Sequence, residues 1–123
     1  MFPDIDPIST KSWKRLEESY SRAEANDLQK LFMQDPERFE KFSRKFEDSI
    51  VVDFSKNLID EKIFEELMEL TRECYLESAI DAMFTGEKIN RSEKRAVLHT
   101  ALRNMSGEAV IVDGEDIMPK IRD

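Results

Sequence analysis

The apolar residues of this chain recur at helical spacing only in short runs, and a capping residue stands ahead of nearly every run. Such punctuation permits several short helices and excludes one long one. Ser9 or Thr10 can accept a backbone N–H at the start of a helix reaching about Ala25, with Trp13, Leu16, Tyr20 and Ala23 on one face. A second helix, around Asp27 to Met33, offers Leu28, Leu31 and Phe32. Asp35-Pro36-Glu37 repeats the order of cap, first-turn proline and acidic residue, and opens a short segment carrying Phe39, Phe42 and Phe46. Asp60 begins the longest helix, Glu61 to about Tyr75. Its Ile63, Phe64, Leu67, Met68, Thr71 and Cys74 face inward, and Glu65, Glu66, Glu69 and Glu73 face water. A further helix, Glu77 to Thr85, presents Ile80, Met83 and Phe84 before Gly86 stops it.

Between these runs the period changes twice. Ile50-Val51-Val52 reads as a short strand, because branched side chains suit the pleat, and Ala109 to Val112 reads as a second, stopped by the turn dipeptide Asp113-Gly114. The segment is therefore expected to be mainly α with two short β-strands. Two strands rarely make a stable sheet alone, so their partners are expected from more chain. Asp116 is placed to cap a helix and Pro119 suits its first turn, but Lys120 to Asp123 are too few to stabilise it. The end thus reads as a cut through an element.

A net charge of −8 with 37% charged residues lacks the basic footprint that a nucleic-acid surface needs. Eight Phe, Trp13, Tyr20 and Tyr75 supply the bulk for a core, which a disordered acidic tail would lack. Cys74 is the single cysteine, so no internal disulfide can form, and one Cys with one His leaves a structural zinc site without its ligands. No basic leader precedes an apolar run and no stretch suits a membrane span, so cytoplasm is the expected location.

From Gly86 to Asn104 the residue choices are more particular. Ser92 is placed to cap a helix with Glu93 in its first turn. Val97, Ala101 and Met105 make one apolar file, with Leu98 and Leu102 beside it. Arg95, His99 and Arg103 form a basic file that needs acceptors, such as Asp53, Asp113 or backbone carbonyls. This block, Gly86-Glu87-Lys88-Ile89-Asn90 through Arg95-Ala96-Val97-Leu98-His99 to Ala101-Leu102-Arg103, resembles one near the start of the glucose-6-phosphate isomerase family. Two more blocks match in order: Val52-Asp53-Phe54-Ser55-Lys56-Asn57, and Val110-Ile111-Val112-Asp113-Gly114-Glu115-Asp116-Ile117-Met118-Pro119. Looser similarity reaches back to Trp13. Phe54 stands where the family has Tyr, Ser92 where it has Thr, and Met105 where Arg is common.

The resemblance implies an aldose–ketose isomerase interconverting glucose 6-phosphate and fructose 6-phosphate in glycolysis and gluconeogenesis, with no metal or organic cofactor. It implies a longer enzyme of two α/β sandwich domains, working as a homodimer. Residues 1–123 would be its N-terminal helical region, ending before the sugar-phosphate-binding domains and packing on them. The ring-opening His and Lys, the proton-moving Glu and the Ser/Thr phosphate loops of that family would lie beyond Asp123. No catalytic residue carries onto this chain, and sugar phosphate would be a partner of the intact enzyme only. The residues taken alone also fit a standalone acidic helical protein-interaction module.

Several groups invite chemistry and have a plainer reading. Lys88, Arg91, Lys94 and Arg95 around a helix start could hold a phosphate, but without a Gly-rich cradle they are expected to be solvated or to tie the loop to neighbouring carboxylates. His99 could move protons, yet a lone His in a packed helix is expected to be structural. Cys74 on an inward face is expected to pack. The Glu65, Glu66, Glu69 and Glu73 stripe is expected to be solvated. Asp53 to Asn57 and Asp113 to Asp116 are expected to shape strand ends and turns.

Overall fold

The computed structural model of the chain describes residues 3–24 and 27–122. These fall into two compact units, one of Pro7–Leu70 and one combining Met1–Asp6 with Thr71–Asp123.

In the Pro7–Leu70 unit a 3-10 turn, Pro7–Ser9, leads into helix α1, Lys11–Glu24. The Thr10 hydroxyl oxygen accepts the Trp13 N–H at 3.1 Å, which is the expected cap. The expected end at Ala25 lies outside the described residues. Helix α2, Leu28–Gln34, is capped by Asp27, whose carboxylate accepts the Gln29 N–H at 2.9 Å. Helix α3, Arg38–Lys41, lasts a single turn and gives way to strand β1, Ser43–Phe46, which pairs antiparallel with β2, Ile50–Asp53. Helix α4, Glu61–Glu73, starts where Asp60 accepts the Ile63 N–H at 2.8 Å.

Strand β1 corrects the helical reading of Phe39, Phe42 and Phe46. The Phe42 carbonyl, which a continuing helix would use four residues on, accepts the Phe54 N–H at 2.9 Å and so starts the ladder. Burial drives the same choice. The Phe42 ring is buried and meets Phe54 and Phe64 edge-on, with centroids 6.1 and 6.2 Å away, while Phe54 and Phe64 stack at 5.5 Å. Phe39 and Phe46 are left exposed.

Two helix faces also differ from the amphipathic reading. Tyr20 is exposed, and the face of α1 that enters the interior carries Ser12 and Ser19. On α4, Ile63 is buried as expected, but Leu67 and Met68 are exposed and Glu66 is buried. A small hydroxyl allows the helix to approach closely, and the Ser19 Oγ donates to Glu66 Oε2 at 2.8 Å. That bond keeps the carboxylate inside, where an unpaired charge would be costly.

In the second unit Tyr75 turns the chain in the left-handed region, φ 55°, into helix α5, Leu76–Thr85. Gly86 then ends α5 as expected, at φ 84°. Only glycine fits there, since an added Cβ would lie 2.8 Å from the Ile111 carbonyl oxygen. Strands β3, Ile111–Val112, and β4, Glu115–Asp116, form a second hairpin through Asp113-Gly114, both at positive φ as a two-residue hairpin turn requires. Asp116 anchors the end of the hairpin, accepting N–H groups from Val110 at 3.3 Å and Met118 at 3.0 Å, and helix α6, Met118–Arg122, forms despite its shortness. Ala101, Val110 and Met118 make the core of this unit, with Leu98, Ile117 and Ile121 packed on it.

Thus four strands are present among the described residues, where two were expected, and each pairs with its own neighbour in the chain. Strands β1 and β4 lack the branched residues that mark a strand in sequence, and their partners β2 and β3 impose the conformation.

Candidate functional site

The helix expected from Ser92 is the largest correction. Residues 91–94 form a turn closed by an Asn90–Arg95 bridge, and the helical piece within the expected span is a 3-10 turn, Ala101–Arg103. Asn90 outcompetes the cap. Its side-chain oxygen accepts the Glu93 N–H at 3.1 Å and the Ser92 hydroxyl at 3.0 Å, so Ser92 donates where a cap would accept. Lys94, at φ 53°, completes the turn. The apolar file dissolves in consequence: Ala101 is buried and Leu98 packs on the core, but Leu102 is 69% and Met105 95% exposed.

The basic residues of this loop therefore do not surround a helix start at Ser92. Lys88 Nζ lies 2.6 Å from Asp113, Arg91 meets Asp4, and Arg95 meets Glu93. These pairs match the reading that the basic groups tie the loop to carboxylates. The expected acceptors differ in part, because Asp113 takes Lys88 and Asp53 takes Lys56. His99 is exposed, not packed in a helix. It borders, with Arg103, a cleft of about 730 Å³ floored by Phe84, Ala101 and Val110.

The Pro7–Leu70 unit holds the densest polar arrangement. Asp53 Oδ1 accepts the Ser55 N–H at 2.9 Å and its hydroxyl at 2.6 Å, and Oδ2 meets Lys56 Nζ at 2.6 Å. The Lys56 bond, then the Ser55 bonds, hold the Asp53 carboxyl at about 2, below its usual 3.8. Behind that turn lies Arg38, 2% exposed. Its Nε donates to the Ser55 carbonyl, and its Nη2 to those of Asn57 and Ile59, each at 2.8 Å. The guanidinium also sits 4.7 Å from the Phe42 ring centroid and 5.7 Å from that of Phe32. Lys41 completes the arrangement between Asp35 at 2.9 Å and Glu61 at 3.0 Å, which push it up to about 12.

Sequence alone does not single out Arg38, since an Arg after Pro36-Glu37 reads as a solvated first-turn residue. The available signal is the aromatic spacing around it, Phe32 and Phe42. The Asp53–Asn57 and Asp113–Asp116 segments shape turns, as expected. Cys74 is a half-buried free thiol in the turn between α4 and α5. The Glu stripe is divided, with Glu66 buried and Glu65 and Glu69 exposed. Among the described residues no group of three or more His, Cys, Asp or Glu side chains comes together to hold a metal ion. Nor is any helix among them long and apolar enough to cross a membrane.

The turns of both units are pinned by side-chain hydrogen bonds and ion pairs. The family model for phosphoglucose isomerase matches residues 53–123, more than half of the chain, which belongs to that family. The match opens on the Asp53 turn and takes in the Gly86–Asn104 and Val110–Pro119 blocks.

Proposed function

We propose that residues 1–123 are the N-terminal helical region of a glucose-6-phosphate isomerase, the aldose–ketose isomerase that interconverts glucose 6-phosphate and fructose 6-phosphate in cytoplasmic glycolysis and gluconeogenesis. In the intact protein the α/β sandwich domains carry the catalytic and phosphate-binding groups, the substrate is the sugar phosphate, and two copies assemble. The present region is a scaffold with no catalytic residue.

The family match over residues 53–123 carries this reading. Its scaffold aspect is supported by what the matched polar groups do: Asp53, Lys88, Asp113 and Asp116 are all engaged in turns and strand ends. Apolar side chains that more protein would cover point the same way, among them Phe84, Leu102 and Met105. So does the buried Trp13 indole N–H, which has no acceptor among the described residues.

The test is to assay two proteins made in a host deleted for its own isomerase: the 123-residue chain and the full reading frame of its gene. The short chain is expected to give no glucose 6-phosphate from fructose 6-phosphate above the blank, and the full frame to give it readily. Turnover by the short chain would overturn the scaffold reading, and an inactive, folded full-length product would overturn the isomerase reading.

A further inference from the structure

Of the three glycines in the chain, Gly114 alone follows an aspartate. An aspartate before glycine is able to close a five-membered ring on its own backbone, because the next amide nitrogen reaches the side-chain carboxyl carbon and glycine has no Cβ to crowd it. The other aspartates lack that freedom. Asp6 and Asp35 precede prolines, which have no N–H, and the rest that have a following residue precede one with a side chain.

The β3–β4 turn leaves this pair open to the reaction. The Asp113 side chain is 68% exposed, so water reaches it. A Cβ built on Gly114 would meet nothing within 4 Å, so a ring forms there without displacing a neighbour. Asp113 sits at φ 53°, a left-handed conformation that is strained for a residue with a Cβ. The ladder below it holds two residue pairs, Ile111 with Asp116 and Val112 with Glu115, and so short a hairpin opens at low cost. The restraint on the carboxylate is Lys88, whose Nζ lies 2.6 Å from Asp113 Oδ1, an exposed pair of the kind that holds weakly.

The β1–β2 turn supplies an internal comparison. Asp48 there is 97% exposed and also meets a lysine, Lys45, at 2.8 Å, but the residue after it is Ser49. Exposure and ion pairing are alike in the two turns, and the missing Cβ separates them.

We propose that Asp113 is a site of spontaneous isoaspartate formation, and that the conversion loosens the β3–β4 hairpin. The Gly114 nitrogen bonds to Asp113 Cγ and a Cγ–O bond breaks, the oxygen leaving as water with the amide proton and the carboxyl proton. Water then adds to the main-chain carbonyl carbon of Asp113 in the succinimide and breaks its bond to the Gly114 nitrogen. The chain now runs through Cβ and Cγ, and the new carboxylate stands on Cα. Nothing is oxidised or reduced, and mass is unchanged. A two-residue hairpin turn has no room for the added methylene, so the Val112–Glu115 pairing is lost, and the carboxylate that met Lys88 has moved. The reaction is intramolecular and does not rest on the isomerase reading.

The test keeps the 123-residue chain at neutral pH and body temperature for several weeks and then digests it with trypsin. A second, isobaric form of peptide 104–120 is expected to accumulate. It should take up a methyl group from labelled S-adenosylmethionine through an isoaspartyl methyltransferase, and electron-transfer fragmentation should place it at residue 113. Peptide 46–56, which carries Asp48, should stay single. Gly114→Ala should slow the conversion about tenfold, the factor that about 1.4 kcal/mol of crowding at ring closure produces. Asp113→Glu, which would need a six-membered ring, should abolish it. The isomerised fraction should melt below the fresh chain. The site would be overturned by no isoaspartate at residue 113, by equal amounts at residues 48 and 113, or by an unchanged rate in Gly114→Ala. Conversion of a synthetic 104–120 peptide but not of the folded chain would overturn it too. An isomerised fraction that melts with the fresh chain would overturn the loosening.

Discussion

The Arg38 cluster and the Asn90–Met105 stretch show opposite relations between sequence and packing. The first lies ahead of the family match, yet it is closed by contacts spanning 17 to 21 residues, from Arg38 to Ser55, Asn57 and Ile59. The second sits inside the match and carries its most particular residues, yet its Asn90 and Asn104 turns are closed by side-chain bonds over 2 to 4 residues. Motif strength and local fixation are separate properties. A family block can be held by what packs on it, and a residue outside the block can hold the block's neighbours.

The contrast is most exposed to test at Arg38. Arg38→Ala strands three carbonyls behind the aromatic ring cluster, and leaving each unmet costs roughly 1–3 kcal/mol, so a loss of at least about 3 kcal/mol is expected. Arg38→Lys should recover only part of it, because an ammonium cannot reproduce the planar fork. Urea denaturation followed by the Trp13 fluorescence reads both. A change below about 1 kcal/mol would mean that the aromatic rings alone organise the unit.

Gly86→Ala should come next, at about 1–3 kcal/mol, from a left-handed backbone and a Cβ pressed on the Ile111 carbonyl. Thermal melting checks it. Gly114→Ala, also at positive φ but with open space around it, should cost less. Equal losses would assign the Gly86 effect to backbone conformation alone.

Local signals are the legible part of this molecule. The caps at Thr10 and Asp60, the stop at Gly86 and the Asp113-Gly114 turn all act over a few residues, and each stands where the sequence places it. The features that escape a sequence reading depend on partners distant in the chain. Nothing near Arg38 announces three carbonyls from the loop after β2, and nothing near Glu66 announces Ser19 on another helix. Strand β1 is likewise made by its partner. The Ser92 helix fails for a local reason, since Asn90 offers a stronger acceptor two residues ahead of the expected cap.

A smaller effect tests the exposed polar turn beside the Arg38 cluster. Asp53 is held below its usual 3.8, so its contribution is complete above that value and is lost as pH falls toward 2. Asp53→Asn should therefore flatten the acid limb of the melting-temperature profile between about pH 4 and 2. Lys41 has the opposite sign. Held above 10.5 by Asp35 and Glu61, it contributes fully below that value and less as pH rises toward 12, so Lys41→Met should flatten the alkaline limb. Unchanged profiles would show that solvent screens both sites completely.

The smallest expected effect is the sharpest test of the second region. At 69% exposure Leu102 has little apolar contact to lose, so Leu102→Ala should shift the stability of the 123-residue chain by less than about 0.5 kcal/mol. A helix from Ser92 would give a different answer, because it places Leu102 beside the buried Ala101 file, where truncation costs about 2–5 kcal/mol. Denaturation of the short chain decides between the turn and the helix. In the longer isomerase proposed above the same substitution adds a second comparison: a small loss in the short chain and a large one there would mean that additional protein covers Leu102, whereas equal small losses would leave it a surface residue in both.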